Sequence, residues 1–429
     1  MAVCLQSHSR LEQVLSLLTG VWIAERDLKD KKVDTPAALA ILMLLRCLDR
    51  VTEAAVTLFI EHFDTKQTLA RLLVVQLESA VKLQALACLR DDAGLISLVM
   101  KEDPDLRISL LSQSLTKKCI AAIESISSQP PDRDVGDCIV SCLKCVALTL
   151  DATNGVTWVR LALRAGILSA LLGCAGFYIY ARVEDEAIAF LKRLICYLPY
   201  KPVIRQAHQS LEALSLNLDV EKPPLLSTTG KIHASWSEFV TWVEDRKQLK
   251  AQYNKLCKYA CGFPECGTSG PDMRACQACL VVRYCSKACQ KNHWHTHKLV
   301  CTGTREEISN ENKQFLIYLA SHDILLFKAQ LVQQRAALLA QHPEVLVLPL
   351  CVKINYNVHP VDIEVSPMTR NVVGEPNIAR EVIASRGLKT YVEIHIPSGE
   401  EVIAFPVLLE ALGNWDRVDP PPTSVNDST

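Results

Sequence analysis

The stretch from Cys261 to Cys301 limits what this chain can fold into more than any other. Its 41 residues hold seven cysteines (Cys261, Cys266, Cys276, Cys279, Cys285, Cys289 and Cys301) and, between the last two, His297. Eight ligands of this type make two tetrahedral zinc sites of four ligands each. The spacings C-x4-C, C-x2-C, C-x3-C and H-x3-C let pairs of thiolates converge on one metal from a tight turn or the first turn of a helix. A segment this short cannot bury enough apolar surface to hold itself together. Metal binding therefore supplies the folding energy, on the order of 10 kcal/mol per structural site. Every coordination position is filled by protein, which leaves no open place for water or substrate and makes the zinc structural rather than catalytic. The competing reading, a disulfide framework, belongs to small secreted domains. The N-terminus MAVCLQSHSRLEQVL lacks the basic region and long apolar core of a secretory signal.

The residues Arg283-Tyr284-Cys285-Ser286-Lys287-Ala288-Cys289-Gln290, followed by Trp294 and His297-x3-Cys301, resemble the MYND zinc finger. The resemblance covers about a tenth of the chain and implies an interleaved pair of sites. The first would use Cys261, Cys266, Cys285 and Cys289, and the second Cys276, Cys279, His297 and Cys301. The sequence departs from the family in its first pair, which is more often C-x2-C, so Cys257 competes through a C-x3-C step with Cys261. Cys266 is preferred because the following Gly267 suits a tight thiolate turn. His293 and His295 compete with His297, but only His297 has the family's offset from Cys301. MYND fingers generally bind short proline-containing peptides, and the resemblance implies that surface here. It would be the strand 281–284, with Val282 and Arg283, beside the helix that carries Gln290 and Trp294. An extended peptide would pair with the strand while Trp294 packs on its proline and leucine side chains. The alternative is that Trp294 packs only within the finger. The linker segment Pro223-Pro224-Leu225-Leu226 is similar to such peptides and could fill the groove in cis.

Outside the finger the sequence reads as mainly α. Of 429 residues 49% are hydrophobic and only 16 are glycine, which fits a helical, well-buried protein of two or three domains. The net charge of −1 offers no general basic excess for nucleic acid. Of the 18 cysteines, ten lie outside residues 257–301 among apolar neighbours, as buried free thiols do. Cys138, Cys142 and Cys145 share one helical face with no fourth ligand nearby, which reads as core packing. Free thiols and zinc thiolates together place the protein in a reducing compartment, cytoplasmic and/or nuclear. The uncharged run 165–181 is at the lower limit for a membrane span. Gly166, Gly173 and Gly176 punctuate it as the ends of two packed helices, so no membrane is expected.

Residues 1–215 read as an armadillo/HEAT-like helical solenoid, with breaks at Asp30–Lys32, Asp103–Pro104, Ser127–Asp134 and Pro199–Pro202. The face Leu11, Val14, Leu15 and Leu18 marks a buried first helix. A weak echo links 92–98 with 164–171; in each, Gly94 or Gly166 is expected to open a helix, at the separation of two solenoid repeats. Residues 216–256 form a linker, running to about 235, and a lead-in helix from Trp236 to Tyr259. Its inward face is Trp236, Phe239, Val240, Val243, Leu249, Tyr253 and Leu256. The finger spans 257–301, with a helix between Ser286 and His297 that Ser286 caps. A helical segment at 305–341 turns Phe315, Leu316, Leu319, Leu325, Leu326 and Phe327 inward. A small β-rich module occupies 345–415, with a hairpin turn at 397–399. Residues 416–429 read as a disordered tail.

No Walker A loop, dinucleotide fingerprint, nucleophile elbow, H-E-x-x-H or kinase set is present. Some MYND proteins are lysine methyltransferases whose SET domain carries an Asn-His-Ser-Cys stretch; Asn355-Tyr356-Asn357-Val358-His359 is not that motif. The ligand order also differs from a RING finger. The sequence thus points to a non-enzymatic adaptor or scaffold that binds two structural zinc ions and protein partners, and no small-molecule substrate. The alternatives are an adaptor subunit of a ubiquitin ligase complex and a transcriptional co-regulator or nucleic-acid-associated protein. Against direct DNA binding, the finger has no helix studded with base-reading side chains.

Overall fold

The computed structural model describes residues 8–27, 40–41, 52–217, 230–259, 261–268, 270, 273–276, 282–297, 310–341, 350–367 and 389–410. The protein is mainly α, with a two-stranded sheet in the finger and a four-stranded sheet near the C-terminus. It divides into two compact units. One comprises Met1–Leu194, Arg205–Trp242 and Ser398–Glu400, the other Ile195–Ile204, Val243–Pro397 and Glu401–Thr429.

The first unit is built from helices α1 (His8–Asp27), α2 (Thr52–Glu61), α3 (Lys66–Leu83), α4 (Leu86–Glu102), α5 (Pro104–Ser112), α6 (Leu115–Ser127), α7 (Arg133–Leu150), α8 (Val156–Arg164), α9 (Ile167–Gly173) and α10 (Ala181–Cys196). Most of α11 (Lys201–Asn217) also belongs to it. Local chemistry sets the boundaries. Thr65 caps α3 through its hydroxyl on the Thr68 amide at 3.0 Å. Asp103 caps α5 through the Leu106 amide at 2.7 Å, with Pro104 at the first helical position, where a missing N–H costs nothing. The breaks expected at Asp103–Pro104, Ser127–Asp134 and Pro199–Pro202 all separate helices; that at Asp30–Lys32 lies outside the described residues.

The core of this unit runs along α7, which packs against α4 and α6. Cys138, Ile139, Cys142, Leu143, Cys145 and Val146 are all buried there. The thiols of Cys138 and Cys145 donate to the carbonyls of Leu86 and Ala93, each at 3.1 Å. Burial pushes Cys138 up to about 12, so it stays a neutral thiol, and these three cysteines do serve the core.

Two sequence expectations need correction. Gly166 does open α9, with a left-handed φ of +94°, but Gly94 sits buried inside the continuous helix α4. The echo between the two glycines therefore does not mark equivalent breaks. In α1, Leu15 is buried while Val14 is exposed, so the buried face is rotated toward Thr19 and Trp22, where Trp22 meets Phe59 and Phe63. The uncharged run from 165 is bent by 55° against α8. Among the described residues no single helix is long and apolar enough to cross a membrane.

Helix α12 (Lys231–Tyr259) starts five residues before the expected Trp236. Trp236, Phe239, Val243, Leu249 and Tyr253 are buried as read, whereas Val240 lies exposed and the Leu256 side chain is outside the described residues. The second unit continues with the finger, then α14 (Asn310–Leu326) and α15 (Lys328–Gln341). Phe315, Leu316 and Leu319 are buried; Leu325 and Leu326 are exposed where the chain turns by 73° into α15.

The four-stranded sheet has the order β4 (Asp362–Pro367), β3 (Leu350–Asn355), β5 (Lys389–Ser398), β6 (Glu401–Glu410). β3 runs antiparallel to β4 and parallel to β5. Val352, Ile354, Val392, Ile394 and Ile396 alternate onto the buried face. The turn after β5 carries Gly399 at φ +66°. The outer edge of β4 is closed by a side chain acting as a strand. Gln334 of α15 donates to the Ile363 carbonyl and accepts from the Val365 amide, both at 3.0 Å. This satisfies the groups that would otherwise recruit another strand.

One buried network ties α12, α14 and the end of β3 together within the second unit. Arg246 forms a two-pronged ion pair with Asp323, both bonds at 2.8 Å, and both side chains are almost fully buried. The Tyr356 hydroxyl donates to the same carboxylate at 2.8 Å and His322 approaches it at 3.2 Å. Burial alone would raise the Asp323 carboxyl, but His322, Arg246 and Tyr356 outweigh it and hold it below the usual range. Its stabilising contribution is therefore present at neutral pH and is lost as the pH falls through that lowered value. Replacing Arg246 by Ala strands a buried carboxylate and is expected to cost about 3–5 kcal/mol. Urea denaturation of the full chain checks this, and a loss under 1 kcal/mol would show that the pair is not buried.

Candidate functional site

The finger is assembled around short backbone links. β1 (Arg274–Ala275) and β2 (Arg283–Tyr284) pair antiparallel, with Ala275 opposite Arg283. The Cys276 amide donates to Val282 at 2.8 Å, and from the other side Gly262 donates to Arg283 at 2.7 Å. Helix α13 (Lys287–His297) follows directly, and the Ser286 hydroxyl accepts from the Cys289 amide at 3.2 Å, as the capping expectation had it. Tyr284 is buried and bonds the His293 Nδ1 at 3.0 Å. His295 Nδ1 is engaged by the Asn292 carbonyl at 2.8 Å. In each of these histidines one ring nitrogen is thus engaged within the finger.

Four sulfurs converge. The Sγ atoms of Cys261, Cys266, Cys285 and Cys289 all lie within 4.8 Å of one another. Cys266 to Cys285 is 3.4 Å and Cys285 to Cys289 is 3.5 Å. A tetrahedral zinc site with bonds of about 2.3 Å spaces its sulfurs by about 3.8 Å, so the set fits that ion. No other such group of metal-ligating side chains occurs among the described residues. The C-x4-C pair Cys261 and Cys266 is the one brought together, and the Cys257 side chain lies outside the described residues.

The electrostatics fit a cation as well. The Thr268 hydroxyl at 3.0 Å, helped by the Thr268 amide, draws Cys266 down to about 6, favouring the thiolate that zinc requires. Against the downward pull of Ser286, the neighbouring thiols drive Cys289 up to about 12. Four crowded sulfurs cannot all ionise by themselves, and a dication removes that conflict. Thr268 also accepts from the Cys261 amide through its carbonyl at 2.9 Å. It was not singled out from sequence, where only its place two residues past Cys266 could have signalled it. Gly267 adopts φ +61°, as the tight turn requires.

The second set is less fully described. Cys276 is buried against Tyr284, while Cys279, Cys301 and the His297 side chain lie outside the described residues.

Of the residues expected to face a peptide, Gln290 lies half-buried and Trp294 is 44% exposed, both on α13. Val282 is half-buried and packs against the buried pair Cys276 and Tyr284. The carbonyls of Val282 and Arg283 each accept one backbone bond within the finger, from Cys276 and Gly262. Of these four residues Trp294 is the exposed one, while Val282, Arg283 and Gln290 are half-buried.

Gly262 is pressed against that strand. A Cβ there would lie 2.1 Å from Val282 Cγ1, whereas one at Gly270 meets nothing within 4 Å. Gly262→Ala is expected to speed zinc loss to a chelator by about tenfold or more, the equivalent of about 1.4 kcal/mol, and Gly270→Ala to leave it unchanged. Equal rates in the two variants would show that the strand does not hold the site.

The MYND finger family matches residues 261–301. SET domain-containing protein 14 of Caenorhabditis elegans is 33% identical over 58 residues, 13% of this chain and 14% of that protein; the similarity is thus confined to a small part of each. No solved structure matches the chain. The family match and the four converging cysteines together identify residues 261–301 as a MYND-type zinc finger, a zinc-binding protein-interaction module.

Proposed function

We propose that the chain is a non-enzymatic adaptor whose finger holds two structural zinc ions and binds proline-containing segments of partner proteins. The observation that carries this is Trp294. In a finger whose Tyr284 and Met273 are buried and whose Phe263 and Val282 pack inward, Trp294 leaves nearly half of its surface exposed. An indole held on a metal-fixed helix is a rigid apolar platform, and such platforms are suited to proline rings and leucine side chains. Gln290, one turn earlier on α13, would hydrogen-bond the peptide backbone in this reading. The closed Cys4 coordination supports a structural rather than a catalytic metal. The buried neutral thiols of the helical unit, an armadillo-like scaffold in this reading, support a reducing compartment, cytoplasmic and/or nuclear.

Trp294→Ala in the zinc-loaded full chain is expected to weaken capture of Pro-Pro-Leu peptides by at least tenfold, consistent with a central aromatic anchor, without changing zinc content. Fluorescence anisotropy together with metal analysis checks both. Unchanged peptide affinity in the variant would refute this assignment of the binding surface.

A further inference from the structure

The exposed face of α13 carries more than the indole. Lys287 and Lys291 are both exposed and stand one turn apart on the stripe that ends at Trp294. Neither makes an ion pair with any described carboxylate, and Lys287–His297 contains no acidic residue. Two like charges at i and i+4 cost a helix a few tenths of a kcal/mol. Lys287 also occupies the first turn, where the helix dipole disfavours a cation. Arg283, half-buried on β2, adds a third positive group close in sequence. Glu265 is the single acidic side chain described between 261 and 297. A four-thiolate zinc site has a formal charge of −2, which eases the local cost of these cations, yet both ammonium groups remain available to solvent.

We propose that the partner segment docked on Trp294 is an acidic one, with carboxylates that meet Lys287 and Lys291 while its proline-leucine anchor covers the indole. This rests on the reading of Trp294 given above and specifies the partner's chemistry. The geometry fixes a spacing. From Lys287 to Trp294 is seven helical residues, about 10 Å. An extended peptide advances about 3.3 Å per residue. The carboxylate that meets Lys287 should therefore sit about three residues from the apolar anchor, and the one that meets Lys291, about 4.5 Å along the helix from Trp294, about one to two residues from it. Peptide is favoured over nucleic acid because the stripe offers two lysines and one aromatic ring, too few phosphate contacts for strong binding of that kind.

The test uses the zinc-loaded full chain and fluorescent Pro-Pro-Leu peptides. One set carries Asp or Glu residues two and three positions before the anchor, another set carries them after it, and Asn or Gln versions serve as neutral controls. At least one acidic set is expected to bind about fivefold tighter than its control at low salt, the size expected of two exposed charge pairs. That gap should narrow as ionic strength rises. The double variant Lys287→Glu with Lys291→Glu should reverse the preference while retaining zinc. Equal binding of acidic and neutral peptides, with Trp294 still required, overturns this proposal and leaves the peptide-binding reading intact. Failure of every peptide overturns both. Tighter, lysine-dependent binding of a single-stranded oligonucleotide also overturns it, in favour of nucleic acid.

Discussion

Four thiolates converging on one point is the constraint on which the finger depends. The sulfurs of Cys261, Cys266, Cys285 and Cys289 stand closer together than four negative charges tolerate. The arrangement therefore presupposes a dication, and the dication in turn fixes the chain. Cys261 and Cys266 pin the first knuckle, with Gly262 pressed onto Val282. Cys285 and Cys289 pin the first turn of α13. Trp294 projects from that same helix, so the outward surface inherits its rigidity from the metal rather than from a hydrophobic core. Among the described residues of the finger, Met273, Cys276 and Tyr284 are the buried ones, a small core for a segment of this size.

The rest of the second unit obeys a different rule. There, polar groups are buried only where they are satisfied. Asp323 receives Arg246, Tyr356 and His322 together, and the side chain of Gln334 stands in for a missing strand at β4. Such networks specify one arrangement of helices and sheet because any other leaves a charge or an amide without a partner. The stretch Asn355–His359 finds its role here. Tyr356 is a structural donor to Asp323.

How much of this was legible in the sequence depended on how local the cause was. The zinc ligands were legible because coordination demands particular atoms at short spacings, and Cys261, Cys266, Cys285 and Cys289 announce themselves. Most helix ends were legible where Asp103, Pro104 or Ser286 supplies a local stop or cap. The strands of the C-terminal module were legible by their period of two. What failed was what neighbours decide. Gly94 looked like a helix opener, yet its place between packed helices keeps it inside α4. Leu325 and Leu326 read as core because they continue an apolar run, but the chain bends beside them and turns them outward. The Arg246–Asp323 pair is separated by 77 residues, and nothing in either local sequence marks it.

The most direct test of the central claim is native mass spectrometry of the zinc-loaded full chain, compared with its Cys289→Ser variant. The account predicts two zinc ions in the wild-type protein and a loss of at least one in the variant, with greater protease sensitivity of residues 261–301. A wild-type chain that carries no zinc, or a variant that keeps the full wild-type complement, would contradict it.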